Sequence, residues 1–316
     1  MANHILHTAS FPSSDGKNTV ACYFYEPTDA EIKGIVQLSH GMCEYVQRYA
    51  HVAEFFCESG YVFCGNDHLG HGNTAANSEE LGYIGRGGVD HIVDDLHKTT
   101  QLAKERYPDK PLVLFGHSMG SFMARIYLTR YGDELAGAII CGTGGPESPA
   151  SAGKLMASAA MLFRNDHHRS KFINKVAFSG YNKRFKEDGS ESAWVTGDRE
   201  VVKKYDADPL CNFKFTLRGY YNLFDALERV SSKKWAHLVP KELPLFVVSG
   251  KLDPVGNYGR GVETVYERLK AAGVRLIKLK LYDNARHEPH NEVEDIRRAF
   301  LSDILGFVAE VCGKNA

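Results

Sequence analysis

Six short apolar runs limit what this chain can fold into more than any other feature. They lie at 34–39 (GIVQLS), 61–65 (YVFCG), 111–115 (PLVLF), 136–141 (AGAIIC), 243–248 (LPLFVV) and 274–281 (VRLIKLKL). Each is too short for a helix and apolar on both faces, which is the pattern of central strands in a parallel sheet. Helical stretches separate them at about 47–59, 89–106, 120–131, 258–272 and 291–312, several stopping at Gly60, Pro108, Gly132 or Gly273. Strand–helix alternation with right-handed crossovers predicts an α/β fold, a mostly parallel sheet with helices on both faces. Ahead of it, the alternating segments 4–11 and 19–26 flank the turn Ser13-Ser14-Asp15-Gly16 and read as an N-terminal antiparallel hairpin.

The alternation breaks once. Residues 142–240 contain no clear buried strand, only amphipathic material such as 153–163 and 219–230. A helical insertion of this size in a regular sheet is a cap or lid. The expected division is therefore a core of 1–141 and 241–316 and a helical cap of 142–240.

Charge removes several function classes. With 38 Lys+Arg against 39 Asp+Glu and no basic cluster, nothing asks for nucleic acid. The first ten residues lack a basic stretch followed by an apolar run, and no run approaches the roughly 18 apolar residues of a membrane span. Seven scattered cysteines without a C-x-x-C argue against a disulfide framework or structural zinc, so the reducing cytoplasm is the expected compartment. None of the fourteen histidines sits in an H-E-x-x-H helix, and no metal is expected.

The sharpest chemical signal is Gly116-His117-Ser118-Met119-Gly120, placed between the apolar run 111–115 and the helical stretch 121–131. That is the setting of a G-x-S-x-G nucleophile elbow, where a strand turns straight into a helix and lifts a serine hydroxyl clear of the sheet. A serine needs a base, and the base needs an anion to hold its tautomer. In chain order the candidates are Asp253, after the run 243–248, and His287, after 274–281. Asp253 also suits a plain turn before Pro254, and His290 and His40 compete with His287 for the base. The oxyanion of a tetrahedral intermediate would find the backbone N–H of Met119 and that of Met42, in the loop Ser39-His40-Gly41-Met42-Cys43-Glu44 after the first parallel strand. Cys43 reads as a small buried residue rather than a redox group.

Taken with Arg48-Tyr49, with Asn66-Asp67-His68-Leu69-Gly70-His71-Gly72, with Ser249-Gly250-Lys251-Leu252-Asp253-Pro254-Val255 and with Ala285-Arg286-His287-Glu288, these motifs resemble the monoacylglycerol lipase/lysophospholipase branch of the α/β-hydrolase superfamily. The likeness runs from about residue 15 to 310 and is vague within the cap. It implies a triad of Ser118, Asp253 and His287, an oxyanion hole from Met42 and Met119, and a helical lid framing an acyl tunnel. It also implies a structural role for the loop holding His68 and His71. The chain departs from the family's early loop, His-Gly-x-Gly-Glu-His, by carrying Cys43 and Tyr45.

Leu155, Met156, Ala159 and Phe163, with Tyr220 and Phe224, are candidates to line an apolar substrate groove, although apolar helix faces also serve to pack a cap on its core. The expected activity is a cofactor-free serine carboxylester hydrolase acting on a small-molecule or single-chain lipid ester, with contact to a membrane surface through the cap. Alternatives are a small-ester esterase, a prolyl aminopeptidase-like peptidase drawing cap carboxylates from Glu147, Glu187, Glu191 or Asp198, and a non-catalytic binding protein of the same fold.

Overall fold

A computed structural model describes residues 4–146 and 150–313. In chain order it contains β1 (His4–Pro12), β2 (Thr19–Pro27), β3 (Gly34–Ser39), α1 (Ala50–Glu58), β4 (Tyr61–Asn66), α2 (Gly88–Arg106), β5 (Leu112–His117), α3 (Met119–Tyr131) and β6 (Gly137–Cys141). There follow α4 (Ala150–Met161), α5 (Lys171–Ala177), α6 (Arg199–Ala207), α7 (Leu217–Ser231) and α8 (Lys234–Leu238). The sheet then resumes with β7 (Leu245–Gly250), α9 (Arg260–Ala271), β8 (Ile277–Tyr282) and α10 (Glu294–Gly313). The eight strands form one sheet in the order β1-β2-β4-β3-β5-β6-β7-β8. β1 pairs antiparallel with β2 and β2 with β4, while every pair from β4 to β8 is parallel.

The apolar runs form strands because both faces of the sheet are covered. Ile35, Val62, Leu112, Leu114, Ala138, Ile140, Leu245 and Val247 pack on one side with α2, α3 and α9. Their neighbours Val36, Phe63, Val113, Phe115, Ile139, Phe246 and Val248 pack on the other with α1 and α10. Period-two alternation between two buried layers leaves no polar face to see. β8 departs from this pattern. It starts at Ile277 rather than 274; Ile277, Leu279 and Leu281 are partly buried and Tyr282 is buried, with Lys278 and Lys280 exposed. It is the edge strand opposite β1, where lysines discourage pairing with another chain.

Two adjacent strands, β3 and β5, send their connections to opposite sides, β3 to β4 and β5 to β6. Ser39 is paired with Gly116 across them, so the loops after both strands open into the crevice where doubly wound sheets keep their sites. Between β6 and β7 the described residues form helices and turns only, with α7 packed on α3 and α4 on α7. No helix among the described residues is long and apolar enough to cross a membrane.

Candidate active site

Ser118 stands between β5 and α3 at φ 53 and ψ −122, a left-handed backbone that side chains other than glycine rarely adopt. The surroundings enforce it. Ser118 N–H donates to Cys141 O at 3.0 Å, and Ser121 N–H returns to Ser118 O at 2.8 Å. A methyl group on Gly116 would fall 2.6 Å from the Ala124 side chain, and one on Gly120 would overlap the Ser39 carbonyl. Gly120 therefore lets the loop after β3 press against the elbow, and a methyl on Gly41 would lie 2.9 Å from Ser118 Cβ.

The structure brings the three residues with triad chemistry together. His287 Nε2 is 2.8 Å from Ser118 Oγ. His287 Nδ1 is 3.0 Å from Asp253 Oδ1, off the line of a straight hydrogen bond. Asp253 is fully buried; its carboxylate accepts from Ser249 Oγ at 3.0 Å and from Val255 N–H at 2.9 Å, which aims the other lone pairs at the imidazole. The two competing histidines are placed differently. His40 is committed to its own loop, with Nδ1 2.8 Å from Gly41 O and Nε2 accepting from His68 N–H at 2.9 Å. Burial, then the neighbouring His68 and His71, hold it well below the ordinary histidine range. His290 is buried, stacked on Tyr49 at 4.6 Å, and neither ring nitrogen has a hydrogen-bond partner among the described residues.

Beneath the triad lies a buried polar network that sequence reasoning passed over. Glu44 accepts from Gly41 N–H, from Tyr49 OH at 2.9 Å, from His117 Nδ1 at 3.1 Å and from Arg48 at 2.9 Å. Arg48 forks onto Glu288 with two bonds of 2.9 Å. His117 Nε2 lies 3.2 Å from His287 O. Burial opposes a charge on His117, but the Glu44 carboxylate more than offsets it and raises the imidazole above its usual range. Glu44, His117 and His290 also bring possible metal donors within 4.8 Å of one another, yet Glu44 and His117 already spend theirs on this network. Glu44 fixes the loop that carries Met42. The Met42 N–H has no acceptor among the bonds of the described residues, and the Met119 N–H begins α3, where no helical carbonyl can reach it.

Both departures from the family's loop have structural counterparts. Cys43 holds φ 56, the conformation glycine suits, and its buried thiol donates to Phe213 O at 3.3 Å. Burial, then Glu44, push that thiol well above the usual range. Tyr45 OH donates to Asp208 Oδ2 at 2.8 Å, tying the loop to the segment between β6 and β7.

The groove candidates are scattered. Leu155 is 70% and Phe163 85% exposed, and Ala159 is exposed too. Met156 is half-buried against the core. Tyr220 and Phe224 are buried and stacked 6.2 Å apart, with Phe224 filling the notch at Gly153, so they join α7 to α4. From the described part of the segment between β6 and β7, the ring laid against the triad is Trp194, 4.9 Å from the His287 ring and 5.0 Å from Tyr181. A lone Trp in a polar stretch gave no periodic signal that could have marked it.

The family described as Serine aminopeptidase, S33 (Hydrolase_4) matches residues 30–294. A monoacylglycerol lipase of Mycolicibacterium smegmatis is 27% identical over 283 residues, which cover 89% of this chain and 89% of that one. Among solved structures, a highly thermostable carboxyl esterase from Bacillus coagulans, in complex with glycerol, has a TM-score of 0.90 and 33% identity, covering 97% of this chain and 99% of that one. A lipase in its open form has a TM-score of 0.87 and 30% identity, covering 98% and 99%. The chain therefore belongs to the Serine aminopeptidase, S33 (Hydrolase_4) family and is a hydrolase enzyme with the α/β-hydrolase fold, similar to monoacylglycerol lipases.

Proposed function

We propose that this hydrolase is a serine carboxylester hydrolase working through an acyl-enzyme, with Ser118 as nucleophile, His287 as base and Asp253 as its orienting anion. The observation that carries the reading is Ser118 Oγ at 2.8 Å from an imidazole whose other nitrogen lies 3.0 Å from a fully buried carboxylate. As Ser118 Oγ bonds to the ester carbon, its proton passes to His287 Nε2, and Asp253 stabilises the imidazolium. The carbonyl oxygen gathers negative charge and is met by the N–H groups of Met42 and Met119. The C–O bond to the alcohol breaks as His287 returns the proton to it; water, giving a proton to His287, then bonds to the acyl carbon, and the bond from that carbon to Ser118 Oγ breaks as His287 passes the proton back to Oγ, releasing the acid. These steps use side chains and backbone alone, so EDTA leaves the rate unchanged.

The substrate class we propose is a single-chain lipid ester of the monoacylglycerol or lysophospholipid type. The relatives named monoacylglycerol lipase and carboxyl esterase support it, as do the exposed Leu155, Leu162, Phe163 and Phe172 beside Arg164 and Lys171, a suitable face for a lipid surface. The family's description favours a second reading, an aminopeptidase, which would need a carboxylate for the substrate ammonium. Glu187 and Glu191 are exposed, Asp198 caps α6 through Glu200 and Val201 N–H, and Glu147 lies outside the described residues.

Ser118→Ala is expected to cut kcat by about 10⁵ to 10⁶ without loss of folding. More than a tenth of wild-type esterase activity in that variant would remove Ser118 from the mechanism. The substrate class is tested with p-nitrophenyl acetate, butyrate, octanoate and palmitate, monoacyl and triacyl glycerols, and an aminoacyl amide. Each buried methylene adds about 0.8 kcal/mol, so kcat/KM should rise with chain length. A maximum at acetate reduces the substrate to a small ester, and preference for the amide gives the aminopeptidase.

A further inference from the structure

His287 sits on the connection from β8 to α10, and such an imidazole must be held from both sides to keep its aim. On the core side the holding groups include His117, whose Nε2 lies 3.2 Å from His287 O, Arg48, which forks onto Glu288, and Asn291 Nδ2, which donates to Glu288 Oε2 at 2.7 Å. On the other side every polar partner comes from the segment 188–197, between β6 and β7. Arg286 donates to Ala193 O at 2.5 Å, to Thr196 O at 3.2 Å and to Asp188 Oδ2 at 2.7 Å, with its guanidinium 4.1 Å over the Phe185 ring. Glu288 N–H donates to Val195 O at 2.8 Å, and Thr196 Oγ1 to Asn291 O at 2.8 Å. Glu292 accepts from Gly197 N–H at 2.9 Å with one oxygen and from Arg286 N–H at 2.7 Å with the other. The two backbones are thus laced together on both sides of His287, and the Trp194 ring is laid against the imidazole.

We propose that the arm 188–197 is part of the mounting of the catalytic base, with Arg286 locking the arm to the His287 loop and Trp194 limiting the swing of the imidazole. The inference rests on His287 being the base. Both are positioning residues, since neither touches the reacting atoms. Whatever the rest of the segment between β6 and β7 does, this arm has to stay where it is for Ser118 to be activated. Arg286 suits the task because a planar fork reaches two carbonyls and a carboxylate at once, which a lysine cannot. The backbone at Trp194 is itself steadied, its main-chain N–H donating to Asn182 Oδ1 at 2.9 Å.

The test compares Arg286→Met, Arg286→Lys, Trp194→Ala and Trp194→Phe with Lys154→Met, a variant of the α4–α7 ion pairs far from the triad in sequence and outside the proposed machinery. Rates are read well below each melting temperature with p-nitrophenyl acetate, and separately as the rate of labelling by a fluorophosphonate. Misaiming the base by about 1 Å costs on the order of 10² in rate, so kcat and the labelling rate of Arg286→Met and Trp194→Ala should fall together by about tenfold or more. KM for this small ester should stay within about twofold, because the change is in the base and not in binding. Trp194→Phe should recover most of the rate, Arg286→Lys little of it, and Lys154→Met should match the wild type. If Arg286→Met does not fold, Trp194→Ala and Arg286→Lys carry the same comparison. Labelling and kcat at wild-type levels in folded Arg286 and Trp194 variants overturn the proposal. A fall equalled by Lys154→Met also overturns it, since it marks general loosening. Failure of the underlying site shows separately, as a wild-type protein that the fluorophosphonate does not label at Ser118.

Discussion

Ser118, the proposed nucleophile, is a strained residue whose strain persists only because the neighbours leave no alternative. A sparsely populated backbone of the kind at Ser118 costs about 1–3 kcal/mol. The compensation is close packing by glycines. Gly120→Ala would put a methyl group into the Ser39 carbonyl, so the loop carrying Met42 must retreat. That variant should lose about 2–4 kcal/mol in urea unfolding and at least tenfold in kcat; wild-type kcat would show that the loop's approach to the elbow is not needed. His117 makes a second prediction at this scale. Its native pKa is raised, so its contribution to stability is complete below about pH 6.5, the unfolded imidazole value, and is lost as pH rises through the native value. Unfolding free energies from pH 6 to 9 should therefore decline more in the wild type than in His117→Gln. Equal slopes would mean that His117 is neutral in its network.

Elements are joined here by buried polar side chains as much as by apolar packing. Arg125 on α3 is fully buried and stacks 4.2 Å over the Trp235 ring. It donates to Thr143 Oγ1 at 3.3 Å and Gly144 O at 3.1 Å, where the chain leaves the sheet, and to Val230 O at 2.6 Å, near where it returns. One guanidinium thus closes the base of the segment between β6 and β7, three residues beyond the first turn of α3, the helix that follows Ser118. Replacing it with methionine keeps the volume but strands the carbonyls, each worth about 1–3 kcal/mol when left dry. Arg125→Met should lower stability by about 2–4 kcal/mol and speed proteolysis within 142–240 in the folded state. Unchanged cleavage would show that the segment is held by its apolar contacts alone.

Across the whole molecule, four buried histidines and Glu288 favour loss of stability in acid, opposed by the raised carboxyls of Asp67, which burial lifts to about 6, of Asp95 and of Glu292, and by His117. Burial holds His68 at about 3 and His71 at about 4, and His40 and His290 are also held well below the ordinary range. A depressed histidine stays neutral in the fold while the unfolded chain takes up a proton below about pH 6.5, so stability falls as pH drops. Glu288 adds to this. Burial opposes its charge, but Arg48 overrides that and holds the carboxyl below its usual range, so its contribution is present above about 4.5 and lost beneath it. From pH 6.5 to 4 each neutral-held histidine should lower the unfolding free energy by up to about 1.4 kcal/mol per pH unit, less what the raised carboxyls return. His71→Gln should remove one such increment, and an unchanged slope would place that imidazole in contact with water.

The sheet was legible in the sequence because covered strands announce themselves through local apolar runs, and the elbow because Gly116, Ser118 and Gly120 meet a steric demand within five residues. The order of Asp253 and His287 after their strands was legible for the same reason, since each sits where a short run ends. What local pattern cannot show is which distant groups share space. Only the tertiary structure set His287, rather than His40 or His290, beside the serine, 169 positions along the chain. It alone put Trp194 against that imidazole and left Leu155 and Phe163 exposed. Apolar periodicity says that a helix face is buried or available, whereas the choice between packing a neighbour and facing a reaction depends on where the other elements stand.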